Sequence, residues 1–81
     1  MFLINDKKDY TKAIKEGYKN DNSFFSVINL LKLGNTRLKI EPDYKELYKF
    51  LIHHLKNKNS KISKTVIYFQ LADVCAFLGK H

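Results

Sequence analysis

The sequence predicts an all-α protein, a small four-helix bundle, from three observations. Hydrophobic residues make up 44% of the 81 residues and aromatic residues 14%, more than a disordered chain contains. Capping residues precede two of the apolar stretches, and the apolar residues themselves recur at helical spacing. We therefore expect one small helical domain over residues 1–81, with helices at about 6–19, 22–33, 43–57 and 63–79.

Polar residues mark the starts and ends of the first two helices. Asp6 is a predicted N-cap, with Asp9 at the third position as a variant of the capping box. The segment NDNS (20–23) ends this helix and caps the next one. In SFFSVINLLKLGN (23–35) polar residues recur every third position, which is typical of a helix that ends in a left-handed cap at Gly34-Asn35. The alternative for this segment is a hairpin that turns at Gly34-Asn35 between two strands.

The third helix carries the clearest helical pattern in the chain. TRLKIEP (36–42) alternates apolar and polar residues and predicts a short extended crossing at 36–41. Asp43 with Glu46 then forms a predicted capping box. The apolar residues behind it follow the spacing of one helical face, in the order Tyr44, Leu47, Tyr48, Leu51, Ile52 and Leu55.

The last helix is predicted to be apolar on nearly its whole circumference. It follows the polar segment NKNSKIS (57–63), where Ser60 or Ser63 is the predicted cap, and it ends at Gly79. Such a helix must be surrounded, so it is either the centre of the bundle or a contact with a second chain. Because a short chain has little mass to cover it, we expect a homodimer through the helix 63–79.

The composition favours an anionic partner. Fifteen basic against eight acidic residues give a net charge of +7. Such a balance suits nucleic acid or a nucleoprotein complex, an acidic protein, or a membrane surface. The alternative explanation is codon bias in an AT-rich genome, because the chain holds 14 lysines, seven asparagines and seven isoleucines.

The sequence also predicts which classes of protein this chain does not belong to. One cysteine cannot form an internal disulfide, and neither a signal peptide nor an apolar run of about 18 residues is present, so we expect a cytoplasmic protein without a membrane contact. No nucleophile or phosphate-loop motif occurs, which predicts no enzyme and no cofactor. His53 and His54 are adjacent and cannot chelate one ion together, so no metal is expected and His54 is predicted to be hydrogen-bonded at the core edge. Asp73 is predicted to pair with a lysine.

Lysine placement gives the candidate site. Four lysines of the first helix, Lys8, Lys12, Lys15 and Lys19, fall within an arc of ~60°. This arc is either a basic stripe that binds an anion or an ordinary solvated face. A second group surrounds the segment 57–63, where Lys61 and Lys64 precede a helix whose dipole disfavours cations. An anion there would be held by free backbone N–H groups and by these lysines. The eight candidate nucleic-acid-binding residues are Lys8, Lys12, Lys15, Lys19, Lys56, Lys58, Lys61 and Lys64.

Two functions follow, and both act by binding. The first is a nucleic-acid or nucleoprotein accessory factor that contacts phosphates through lysines, without base reading because Arg37 is the only arginine. The second is an inhibitor or adaptor of the phage or mobile-element type, which docks a protein machine such as a host defence complex through apolar surface. The string LADVCAFLG (71–79) resembles a segment of phage antirepressor domains, over nine residues and with no residue role carried over. A role at a membrane surface ranks third.

Overall fold

A computed structural model describes residues 4–79 and confirms the all-α fold. Within these residues no strand occurs, and a short 3-10 turn at Asp21–Ser23 joins the first two helices. Each helix begins and ends within about two residues of its expected bounds. The helices are α1 (Lys7–Lys19), α2 (Phe24–Leu33), α3 (Tyr44–Lys56) and α4 (Lys64–Leu78).

Side-chain caps start two of the helices as predicted. The Asp6 carboxylate accepts a hydrogen bond from the Asp9 backbone N–H at 2.9 Å, and Asp43 accepts one from Glu46 at 3.0 Å. The predicted serine cap of the last helix is confirmed in its position, at Ser63, but not as a side-chain hydrogen bond. Ser63 lies at the cap position of α4 without a side-chain hydrogen bond. The other predicted cap, Ser60, is held elsewhere because its hydroxyl contacts α3 and the 3-10 turn, as described below.

The link between α2 and α3 is a closed turn, so the extended crossing predicted at 36–41 is wrong. Asn35 and Ile40 exchange two backbone hydrogen bonds of 2.7 and 2.8 Å, and the four residues between them form a turn. The Asn35 side chain accepts from the Leu38 backbone N–H at 3.1 Å. An asparagine that bonds its own chain in this way favours a turn, and here it outweighs the alternation of apolar and polar residues.

Gly34 turns the chain out of α2. Its φ of 65° and ψ of −153° lie in a region that is essentially open only to glycine, outside the left-handed helical region predicted for this cap. A β-carbon here would overlap the Ile40 carbonyl oxygen. The alternative of two strands meeting at Gly34-Asn35 is wrong as well, because α2 stays helical to Leu33.

The core lies between α1, α2 and α3 and extends to one side of α4. The chain is flattened, with principal extents of 32 × 30 × 15 Å, so it is no more than about two helices thick. The buried cluster draws on α2, α3 and α4. It consists of Phe24, Val27, Ile28, Leu31, Leu47, Phe50, Leu51, Ile67 and Val74.

The helix α4 lies at the edge of the bundle and not at its centre. Among the helices of residues 4–79, its backbone packs against α3 alone, and it reaches α2 only through side chains. Ile67 and Val74 are buried against the core, whereas Tyr68 is 57% and Phe69 70% exposed. Of the two arrangements expected for an apolar helix, the structure therefore excludes the central one. No helix in the described part of the chain is both long and apolar enough to span a membrane.

Candidate phosphate-binding surface

All eight candidate lysines are exposed. The lysine stripe (Lys8, Lys12, Lys15 and Lys19) lies on the side of α1 opposite its buried residues, because Tyr10, Ala13 and Gly17 turn toward the core. A solvent-open groove of about 600 Å³ follows the first three turns of the helix. Its lining is Asp6, Lys7, Lys8, Asp9, Thr11, Lys12 and Lys15. Lys7 was not among the predicted residues, since it lies outside the 60° arc.

The two carboxylates that line this groove accept hydrogen bonds from backbone N–H groups at the start of α1. Asp6 accepts from the Asp9 N–H, and the Asp9 carboxylate accepts from the Asn5 N–H at 3.0 Å. Their charge lowers the local positive potential at the beginning of α1. At the far end of the stripe the exposed Glu16 lies between Lys15 and Lys19 in the sequence, so a carboxylate borders this end as well.

Two histidines tie the end of α1 to the end of α3. His53 Nε2 lies 3.0 Å from the Tyr18 carbonyl oxygen, and His54 Nε2 lies 2.8 Å from the Gly17 carbonyl oxygen. Both nitrogens donate, because a carbonyl oxygen only accepts. These bonds place Lys19 at the same end of the molecule as the last turn of α3. Lys8 lies at the other end of α1, ~16 Å away along the helix axis.

The connector (residues 57–63) is a hydrogen-bonded turn. The Asn57 side chain accepts from the Asn59 N–H at 3.0 Å, and the Asn57 carbonyl accepts from the Ser60 N–H at 3.1 Å. The Asp21 carboxylate accepts from the Lys61 N–H at 2.6 Å. The connector lysines (Lys56, Lys58, Lys61 and Lys64) therefore project from a backbone with defined positions.

His54 links this turn to the core. It is 2% exposed, and its Nδ1 lies 3.1 Å from the Ser60 hydroxyl, which donates to Asp21 at 3.2 Å. The prediction of a hydrogen-bonded His54 is confirmed, although it lies in the core and not at the core edge. Sequence reasoning missed Asp21, because its contacts are 33 to 40 residues away and no local pattern indicates them.

Tyr18 packs beside the same junction. Its ring meets the rings of Phe50 and His53 edge-on, with centroids 5.1 and 5.0 Å apart. The hydroxyl donates to Glu46 at 3.2 Å. Burial, followed by the Glu46 carboxylate and this hydrogen bond, raises the pKa of Tyr18 to about 12. The ring is therefore neutral at physiological pH and serves as packing.

None of the candidate lysines forms an ion pair within the described residues. Among residues 4–79 the ion pair between charged side chains is Lys32–Asp73 at 3.7 Å, and His54 Nδ1 lies 3.7 Å from the Asp21 carboxylate; none of the eight lysines takes part in either contact. The predicted pairing of Asp73 with a lysine is confirmed, and the lysine is Lys32. The one arginine is also engaged, since the Arg37 guanidinium donates to the Ile4 carbonyl.

Comparisons with protein-family models, with curated proteins and with solved structures found no match. The function is therefore argued from the residues of this chain. One end of the molecule is basic and exposed, and it is formed by Lys19 and the connector lysines. The lysine stripe extends from this end along α1.

Proposed function

We propose that this protein binds the phosphate backbone of nucleic acid through lysines, as a non-enzymatic accessory factor. The observation that carries the proposal is the basic end of the molecule. There Lys19 and the connector lysines are exposed and take part in no ion pair within residues 4–79. Positive charges that have no internal partner are available to an anion, and each phosphate contact releases a condensed counterion.

The shape of the connector supports this function. Its backbone is held by Asn57 and Asp21, so the lysines need less ordering on binding than lysines of a flexible loop would need. The α4 start adds backbone N–H groups, since Ser63 provides no side-chain cap there. Because Arg37 already donates to a backbone carbonyl, no guanidinium is placed for bidentate reading of guanine. Binding should therefore be independent of the base sequence of the nucleic acid.

The salt dependence of binding tests the proposal. Fluorescence anisotropy with duplex DNA of two unrelated sequences, at several salt concentrations, measures the observed association constant. Four to six lysine contacts give a slope of log K against log salt of about −4 to −5. We expect equal affinity for the two sequences. Absence of binding at low salt would overturn the proposal.

A charge reversal with a matched control locates the contact. Lys61→Glu with Lys64→Glu lowers the net charge from +7 to +3, because two positive charges are replaced by two negative ones. The control, Lys39→Glu with Lys45→Glu, makes the same change at the other end of α3, ~20 Å away. We expect the first pair to weaken binding far more than the second and to flatten the salt slope. Equal effects would mean that only net charge matters, and the assigned surface would then be wrong.

A second candidate function is an inhibitor or adaptor of a protein machine. It is favoured by the exposed aromatic rings of α4, in particular Tyr68 and Phe69. Affinity purification with and without nuclease separates the two candidates. A nucleic-acid-binding protein loses its partners on nuclease treatment, whereas an adaptor keeps one stoichiometric protein.

A further inference from the structure

The outward face of α4 is an apolar surface that no part of residues 4–79 covers. It consists of Thr65, Tyr68, Phe69, Ala72 and Ala76, all of them exposed. At ~100° per residue the five fall within an arc of ~100°, opposite the side of α4 that enters the core. The face has two halves, because its aromatic rings lie toward the helix start and its alanines toward the helix end. It is therefore raised at one half and recessed at the other.

We propose that a second copy of this chain covers this face, with the two α4 helices antiparallel about a two-fold axis near Ala72. In this orientation Phe69 of each copy packs over the recess between Ala72 and Ala76 of the other. A two-fold contact requires a surface that is complementary to itself, and the raised and recessed halves meet that condition. A parallel pair would place ring against ring and alanine against alanine, which leaves a gap. Antiparallel helix dipoles also attract each other.

The charge distribution selects a second copy as the occupant. Two chains of +7 repel each other over most of their surface. Between Thr65 and Gly79, however, the sequence contains no lysine and one acid, Asp73, which pairs with Lys32 at 3.7 Å. Residues 65–79 are the longest lysine-free stretch of the sequence, so two copies approach each other here with the least repulsion.

The available area fits a reversible dimer. Phe and Tyr side chains bury ~150–250 Å² each when they are fully covered. With Tyr68 57% and Phe69 70% exposed, each ring leaves ~100–150 Å² to cover. Together with the three small residues, two copies bury about 800–1,000 Å², which is below the standard size of specific interfaces and in the range of weak, transient ones. Such an area fits a reversible dimer that forms with rising protein concentration and not an obligate one.

Sedimentation equilibrium of the full chain at increasing concentration tests the dimer. We expect a monomer–dimer equilibrium that Ala72→Glu shifts by at least about tenfold toward monomer, since it places two carboxylates together at the axis. The control is Leu33→Glu, which makes the same kind of change at a residue that is 74% exposed at the end of α2. It should leave the equilibrium unchanged. Circular dichroism of each variant verifies that it is folded.

Cysteine cross-linking tests the orientation, in a background where Cys75→Ser removes the native thiol. Ala72→Cys lies at the axis, where small side chains let the helices approach closely, so diamide should link two copies. Thr65→Cys should not link, because the two thiols of an antiparallel pair lie ~20 Å apart. This test does not depend on Ala72→Glu being folded.

Three results would overturn the proposal. A monomer at the highest concentration would leave the face free for a different protein, in agreement with the adaptor function. A dimer that Ala72→Glu does not weaken would lie on another surface. Efficient linkage through Thr65→Cys would show a parallel pair. The proposal is independent of phosphate binding, since none of the five residues of the face is a lysine.

Discussion

Gly17 of α1 and Val27 of α2 lie so close that a β-carbon on Gly17 would overlap a methyl group of Val27. The same β-carbon would lie 3.2 Å from the Phe50 ring on α3. The glycine thus sets the separation of α1 from α2 and α3. It also brings the end of α1 near enough to α3 for the histidine bonds.

Gly17→Ala should therefore destabilise the protein although alanine is the better helix former. The gain in helix propensity is about 1 kcal/mol, and the cost of overpacking is about 1–3 kcal/mol. Urea unfolding should give a net loss of about 1 kcal/mol. In a Val27→Ala background the same change should cost less, because the overlapping methyl group is gone. A more stable Gly17→Ala variant in the parent chain would contradict the close approach.

His54→Ala should lower the free energy of unfolding by about 2–4 kcal/mol. It opens a cavity in the core, leaves the Gly17 carbonyl without its side-chain partner and removes one of the hydrogen bonds of the Ser60 hydroxyl. The neighbouring residue provides the control, since His53→Ala removes one hydrogen bond at an exposed ring and should cost about 1 kcal/mol. Urea unfolding of both variants measures the difference. Equal losses would mean that His54 is not the anchor of this junction.

The two positive-φ glycines should differ in their tolerance of alanine. Gly34→Ala combines a backbone conformation closed to side chains with overlap of the Ile40 carbonyl oxygen, and should cost more than about 2 kcal/mol. Gly79→Ala, at a φ of 72°, meets nothing within 4 Å and should cost about 1 kcal/mol. Thermal unfolding, followed by circular dichroism, ranks the two. The reverse order would mean that the turn at 36–39 relaxes to admit the side chain.

Stability should fall in alkaline solution through Tyr18. Because its pKa is about 12 in the folded chain and 10 in the unfolded chain, its contribution is complete below pH 10. The contribution is lost as the pH rises from 10 to 12, where the unfolded chain releases the proton first. Urea unfolding at a series of pH values measures this decline.

Tyr18→Phe is the matching variant. It removes the hydroxyl and its bond to Glu46, so it should lose about 1 kcal/mol at neutral pH and decline less steeply above pH 10. Part of the decline should remain, because burial and then the Asp43 carboxylate raise the pKa of Tyr10 as well. An unchanged pH profile would contradict the assignment to Tyr18.

The helices were predictable because their signals are local. Asp6 with Asp9, and Asp43 with Glu46, are capping pairs three residues apart, and the apolar spacing of α3 is complete within the helix. The turn at 36–39 could not be predicted from the alternation of apolar and polar residues. The Asn35 side chain stabilises the turn by accepting a hydrogen bond from the Leu38 N–H, and the alternation does not indicate this bond.

For the candidate surface, the sequence predicted the lysines but not their arrangement in space. Lysine spacing on α1 identifies the stripe, whereas the joining of Lys19 to the connector depends on His53, His54 and Asp21 across long sequence separations. The place of α4 was not predictable either. A helix that is apolar all round carries no pattern to indicate which side faces the core, and the contacts with α3 make that choice.

The backbone of α4 packs against α3, and its contacts with α2 are made by side chains, so we expect α4 to open separately from the other helices. Opening of α4 would break the core contacts of Ile67 and Val74, the stacking of Phe77 on Tyr44 and the side-chain bonds from Lys32, while the contacts among α1, α2 and α3 could persist. Amide hydrogens of α4 should therefore exchange with solvent through a sub-global opening of lower free energy than that of global unfolding. Such an opening also frees the connector from one of its two helices, so α4 should be the least protected helix of residues 4–79.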